Sequence, residues 1–170
     1  SICWDLQTLN RAFGIELNSS TPRFSQDGAW FVNQRGAEVE LYALERPDLT
    51  RSVAMETTSR LRRAAFSPDG RWLAAASSDQ VAVCDLRSGL VAYGTCESPH
   101  LFWAVDGKEL FASSSRGRSA RWRVVPAGGA NPLPRLESIP FAAPKDLISI
   151  SVVSNRVLWT TAYGSQRTTV

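Results

Sequence analysis

Apolar residues in this chain fall in short runs separated by turn-forming clusters. The clearest case is Ala65-Phe66, then Ser67-Pro68-Asp69-Gly70, then Trp72-Leu73-Ala74-Ala75-Ala76, and after a second short turn Val81-Ala82-Val83-Cys84-Asp85-Leu86. Runs this short, bounded by turns at both ends, predict strands and not helices. Pro68 stands where a φ of about −65° is wanted, and Gly70 where a positive φ costs little. The stretch therefore reads as strand, tight turn, strand, short turn, strand.

Degraded copies of this unit recur. One is Phe24-Ser25-Gln26-Asp27-Gly28-Ala29-Trp30-Phe31-Val32, another is Trp103-Ala104-Val105-Asp106-Gly107-Lys108-Glu109-Leu110-Phe111, and a weaker one begins at Phe141 and runs through Pro144 to Ile148. The leading aromatics at 24, 66, 103 and 141 are spaced by 42, 37 and 38 residues. A second landmark keeps the same rhythm: Trp4-Asp5-Leu6, Tyr42-Ala43-Leu44, Cys84-Asp85-Leu86, Trp122-Arg123-Val124 and Trp159-Thr160-Thr161, at steps of 38, 42, 38 and 37. Two landmarks with one period predict a repeated supersecondary unit.

With this period, four strands per unit and a Trp-Asp ending, the chain resembles the WD-repeat (WD40) β-propeller family over nearly its whole length. The resemblance implies an all-β propeller of four-stranded antiparallel blades. The repeats are degenerate and closer in style to bacterial members. The Gly-His pair that opens the family's repeats is absent, and the chain has a single histidine. Three of the five Trp-Asp positions have lost the Asp and two the Trp, so the family's Asp-His-Ser-Trp network is complete in no blade. Asp79, near the position of the family's structural Asp, is expected to cap its own turn.

On this reading residues 1–170 are one partial propeller. A partial blade covers 1–17, with strands near 2–6 and 11–17. Blades follow at about 21–56, 61–96 and 100–139, and a last blade at about 140–170, with Tyr163 to Val170 as its outer strand. The segment from Pro126 to Pro132 reads as a surface loop between the third and fourth strands of its blade. The chain starts at Ser1 and enters in mid-blade, and closed propellers have about 4–8 blades. The expectation is an open fragment of a larger ring, closed by other blades of a parent chain or by a second copy.

Composition narrows the function classes. At 170 residues and 44% hydrophobic residues the chain can bury a core. No run approaches the roughly 18 apolar residues of a membrane span. A net charge of +3 is far from that of a dedicated nucleic-acid binder. Cys3, Cys84 and Cys96 form no Cys-x-x-Cys pair, so neither zinc nor a disulfide framework is expected. Cys84 replaces a buried Trp and reads as a small core residue. A reducing, cytoplasmic compartment follows as the expectation.

Catalytic signals are weak. His100, the lone histidine, lacks a nucleophile turn of the Gly-x-Ser-x-Gly type, and Gly128-Gly129 lacks a phosphate-loop context. Asp27, Asp69 and Asp106 recur, but an Asp in such a turn bonds the backbone two residues on. No catalytic, cofactor or metal residue is therefore assigned. The constellation that remains is basic. Loops joining second to third strands and loops joining successive blades share one rim, which receives Arg35, Arg60, Arg116, Arg118 and Arg156, with His100 close by. The opposite rim holds Asp27, Asp48, Asp69, Asp106 and Asp146, diluted by Arg46, Arg87 and Lys108. Most charged loop tips are simply solvated. The functional reading is a docking face for an acidic segment of a protein partner, gripped by arginine. The resemblance implies a non-catalytic interaction scaffold within a larger regulatory or multidomain protein. The alternatives are a propeller enzyme of hydrolase or lyase type, or an exported ligand-sensing propeller. An enzyme calls for several His, Asp or Glu at the starts of the inner strands, where this chain has Arg23, Arg62-Arg63 and His100, basic and poor in acid.

Overall fold

The structure, a computed structural model, describes residues 2–4, 11–14, 23–35, 38–44, 50–55, 59, 61–97, 100–113, 118–129, 131–141, 147–153, 156–161 and 164–169. Side chains are described between residues 23 and 141 of these ranges, save 35, 50 and 51. All regular elements among them are strands. β1 (Ile2–Trp4) and β2 (Arg11–Gly14) form a two-stranded sheet. The first four-stranded sheet comprises β3 (Arg23–Phe24), β4 (Trp30–Arg35), β5 (Glu38–Ala43) and β6 (Thr50–Ala54). The second comprises β7 (Arg63–Phe66), β8 (Trp72–Ala76), β9 (Gln80–Asp85) and β10 (Val91–Thr95). The third comprises β11 (His100–Trp103), β12 (Glu109–Ser113), β13 (Ser119–Val125) and β14 (Arg135–Ile139). β15 (Leu147–Val153), β16 (Arg156–Thr161) and β17 (Gly164–Thr169) form a final three-stranded sheet. Each sheet is an antiparallel meander in chain order, as expected of propeller blades. The strand anticipated at Phe141-Ala142 falls largely outside the described residues, as does the end of the strand anticipated over 11–17.

The second sheet shows why its sequence does not alternate between apolar and polar. All five residues of β8 are buried. Successive side chains point to opposite faces, and here both faces are covered. Leu73 and Ala75, with Ala82 and Cys84 of β9, join Val32, Val39, Leu41 and Met55 of the preceding sheet region in one core. Trp72, Ala74 and Ala76, with Val81 and Val83, join Leu110, Ala112 and Trp122 of the following sheet in another. Cross-strand register keeps the two sets apart, with Leu73 opposite Cys84 and Ala74 opposite Val83. Ala74 and Ala76 make room for Trp72, Trp103 and Trp122 in the same core. Cys84 is fully buried, as its place in the repeat predicts. Gly94 of β10 is part of this fit, because a Cβ there would lie 3.1 Å from Leu136 and 3.3 Å from Trp122.

The corners between first and second strands are built alike. Gly70 N–H donates to Ser67 O at 3.0 Å, and Gly70 has φ 67°. Ser67 Oγ accepts from Trp72 N–H (2.9 Å) and donates to Asp69 Oδ1 (2.5 Å), which also accepts from Arg71 N–H (3.1 Å). Ser25, Asp27 and Trp30 repeat this network in the first full sheet. The third keeps only the Asp part, with Asp106 accepting from Lys108 N–H at 3.0 Å and Ala104 in place of the serine. Successive corners also touch. A Cβ on Gly70 would meet the Asp27 carboxylate at 2.9 Å, and one on Gly107 would meet that of Asp69 at 3.1 Å. Each turn glycine thus leaves room for the turn aspartate of the preceding sheet. Trp103 adds a further tie between sheets, donating from Nε1 to Ala65 O at 3.0 Å.

Two substitutions test this packing. Ser67→Ala leaves the buried Trp72 N–H without its acceptor and is expected to cost about 1–3 kcal/mol. Gly94→Val forces a side chain against Trp122 and is expected to cost a similar ~1–3 kcal/mol by overpacking. Gly128→Ala points into open space and is the near-neutral control. Urea unfolding of the three variants measures the differences.

Candidate functional site

Strand direction sends the loops between second and third strands, and those between successive sheets, to one rim. Ser78 N–H donates to Ser59 Oγ at 3.2 Å and Cys96 N–H to Asp79 O at 3.1 Å. These bonds join a turn within the second sheet to the segments entering and leaving that sheet. Asp79 Oδ1 accepts from Ser77 Oγ (3.1 Å) and Ser78 Oγ (3.3 Å), so it caps its own turn as expected. Arg118 lies on this rim, exposed, with Nη1 2.7 Å from Glu97 Oε1. Its charge is shared with an acid of the adjoining loop, and so exposed a pair contributes at most about 1 kcal/mol to stability.

The other rim residues are placed unevenly. Arg35 ends β4 opposite Glu38, and Arg156 begins β16 opposite Val153. Arg60 and Arg116 lie outside the described residues. So do Asp48, Asp146 and Arg46 of the opposite rim. Asp27, Asp69 and Asp106 sit in corner turns, where they hold their own backbone. Ser25 Oγ–H and then Ala29 N–H hold the Asp27 carboxyl below the usual carboxylate range.

A feature that sequence reading had left in pieces is a cleft of about 270 Å³ on the inner edge, lined by all three first strands. It gathers Arg23 and Phe24 of β3, Arg63 and Phe66 of β7, and His100 and Phe102 of β11. Arg23, Arg63 and His100 are all exposed. Among the described residues its lining carries no carboxylate. The signal was present in the sequence, since Arg63 and His100 are 37 residues apart, as are Phe66 and Trp103. They hold the same place in successive repeats, and that place faces the inner edge. His100 has its pKa lowered by burial, and the positive charge of Arg63 lowers it further.

A larger space of about 670 Å³ opens between the second and third sheets at the opposite rim. Its lining mixes Arg71, Lys108 and Arg123 with Asp69, Asp106 and Glu109. Several of these charges are already engaged. Arg71 pairs with buried Asp85 at 2.9 Å and lies over Trp72, and Glu109 pairs with Arg121 at 2.6 Å. Arg121 also lies over Phe111, on the sheet face opposite buried Trp122, as the alternation around Trp122 predicts.

Two pH-linked outcomes follow. The unfolded chain takes up the His100 proton near pH 6.5, above the folded value, so stability falls as pH drops below about 6.5. His100→Gln removes that component from a pH series of unfolding curves. Burial and the neighbouring Glu97 push the Cys96 thiol up to about 11. Little thiolate forms at neutral pH, so iodoacetamide is expected to label Cys96 only after unfolding, as read by peptide mapping.

No protein-family model matches the chain, and no curated protein is similar to it in sequence. Among solved structures it is similar to the β-propeller domain of Cps50 (Swd1) from Myceliophteria thermophila, with a TM-score of 0.62 at 17% identity. The match covers 94% of this chain and 55% of that one, so the chain spans about half the length of the propeller it resembles. Its successive antiparallel sheets have the β-propeller fold.

Proposed function

We propose that the chain is a non-catalytic protein-interaction module. Its rim of between-sheet and second-to-third-strand loops would receive an acidic segment of a partner protein, with Arg35, Arg60, Arg116, Arg118, Arg156 and His100 as the contact set. The observation that supports this reading is the bonding between neighbouring loops at the second and third sheets. Ser59 meets Ser78, Asp79 meets Cys96, and Glu97 meets Arg118. Such a rim is a fixed support for charged side chains, and a support of that kind favours recognition over chemistry. Arginine suits the task, because its planar fork grips a carboxylate with two parallel hydrogen bonds. The paired Arg118 would exchange Glu97 for a carboxylate of the partner. A reducing, cytoplasmic setting belongs to the same proposal, and the buried Cys84 and Cys96 are compatible with it.

Charge reversal at Arg60, Arg116 and Arg118 together is expected to abolish capture of the chain's protein partners while its circular dichroism stays unchanged. Undiminished capture by the reversed variant would refute the rim as the docking face.

A further inference from the structure

The inner-edge cleft is lined by basic and apolar side chains. Arg71, Arg118, Arg121 and Arg135 each lie within 2.9 Å of a carboxylate of this chain. Arg23 and Arg63 have no such partner among the described residues, although both are exposed and line one cleft with His100. Two guanidiniums and an imidazole held together without an acid create a local positive potential that selects anions. The cleft is also apolar at its sides. Phe24 is 53% exposed, and Phe66 and Phe102 are half-buried along the same wall.

We infer that the cleft between β3, β7 and β11 is a recognition pocket for a carboxylate side chain flanked by an apolar residue, carried on an extended peptide. The inference rests on the docking reading above and moves the anchor from the rim loops to the inner strands. Charge complementarity decides the anionic part, because Arg23 and Arg63 supply fork donors and no described lining residue repels an acid. The exposed Phe24 face decides the apolar part, since an adjoining aliphatic or aromatic side chain removes it from water. The occupant is a strand-like segment because the cleft follows the free edges of successive first strands. A single acidic residue with its neighbour matches a volume of about 270 Å³, which is small beside the ~300–1,000 Å³ of pockets for whole small molecules. His100 at the cleft end contributes a hydrogen bond, and a bound carboxylate favours its protonated form.

The test uses the full chain and a short fluorescent peptide of alternating Glu and Leu. Wild-type protein is expected to bind it. Arg23→Gln and Arg63→Gln are each expected to weaken binding about tenfold or more, the usual scale for a lost charge-assisted contact. Arg62→Gln, an exposed arginine outside the lining, should leave binding unchanged. A peptide with Gln for Glu should fail to bind, as should one with Ser for Leu. Because His100 is the sole histidine, its ring signal gives a second readout, and its pKa should rise in the complex. A phosphoserine-for-Glu peptide that binds while the Glu peptide does not would overturn the carboxylate assignment. Binding of single-stranded DNA in place of any peptide would also overturn it. Equal affinity of wild type and the Arg23, Arg63 double variant refutes the cleft. If the Arg60, Arg116, Arg118 reversal then abolishes binding, the docking rim survives without it. Loss at Arg23 and Arg63 with none at the rim supports the cleft and overturns the rim.

Discussion

Everything in this fold depends on sheets that are buried on both faces. A strand offers side chains alternately to two sides, and in β8 and β9 each side meets a different neighbouring sheet. Leu73 and Ala75 belong to the core shared with the preceding sheet, and Trp72, Ala74 and Ala76 to that shared with the next. The cores are filled by pairing small residues with large ones, so the alanines of β8 are as necessary as its tryptophan. A repeat unit of this kind cannot hide its own apolar faces, and its stability comes from its neighbours.

The corners carry the same dependence into the polar parts. Within a turn, Ser67 and Asp69 satisfy the backbone of the next strand. Between turns, Asp27 lies against Gly70 and Asp69 against Gly107. The first contact is local and repeats because the sequence repeats. The second needs two sheets at a set separation. The recurring aspartates thus have a structural task in the turn, and the recurring glycines serve conformation and contact at once.

Charge is distributed by the same geometry. Long arginine side chains on sheet faces and loop tips reach carboxylates nearby, as Arg121 does with Glu109 across β12 and β13 and Arg135 with Glu137 along β14. The first strands β3, β7 and β11 begin with Arg23, Arg63 and His100 and lie against one another as well as against their own second strands. Arg23 and Arg63 therefore gather with no acid among the described lining residues. The described lining of the inner cleft is thus basic and apolar, whereas the groove at the opposite rim mixes Arg71, Lys108 and Arg123 with Asp69, Asp106 and Glu109.

Much of this was legible in the sequence. The period of the aromatics, the Pro-Asp-Gly turn and the unbroken apolar run of β8 are local signals, and the all-β fold of four-stranded antiparallel sheets follows from them. The burial of Cys84 and Trp122, the turn-holding role of Asp69 and the self-capping of Asp79 followed from the same signals. Charge pairing was not legible, because Glu97 and Arg118 are 21 residues apart and meet only when a between-sheet loop folds against a neighbouring turn. Nor was the cleft, whose residues come from three repeats. The sequence by itself determined the strands, the turns and their repeat, since these rest on backbone preference and alternation within about forty residues. Tertiary structure alone decided which charges cancel and which basic residues share a space, because electrostatic contact depends on distance between sheets, and no local pattern encodes that distance.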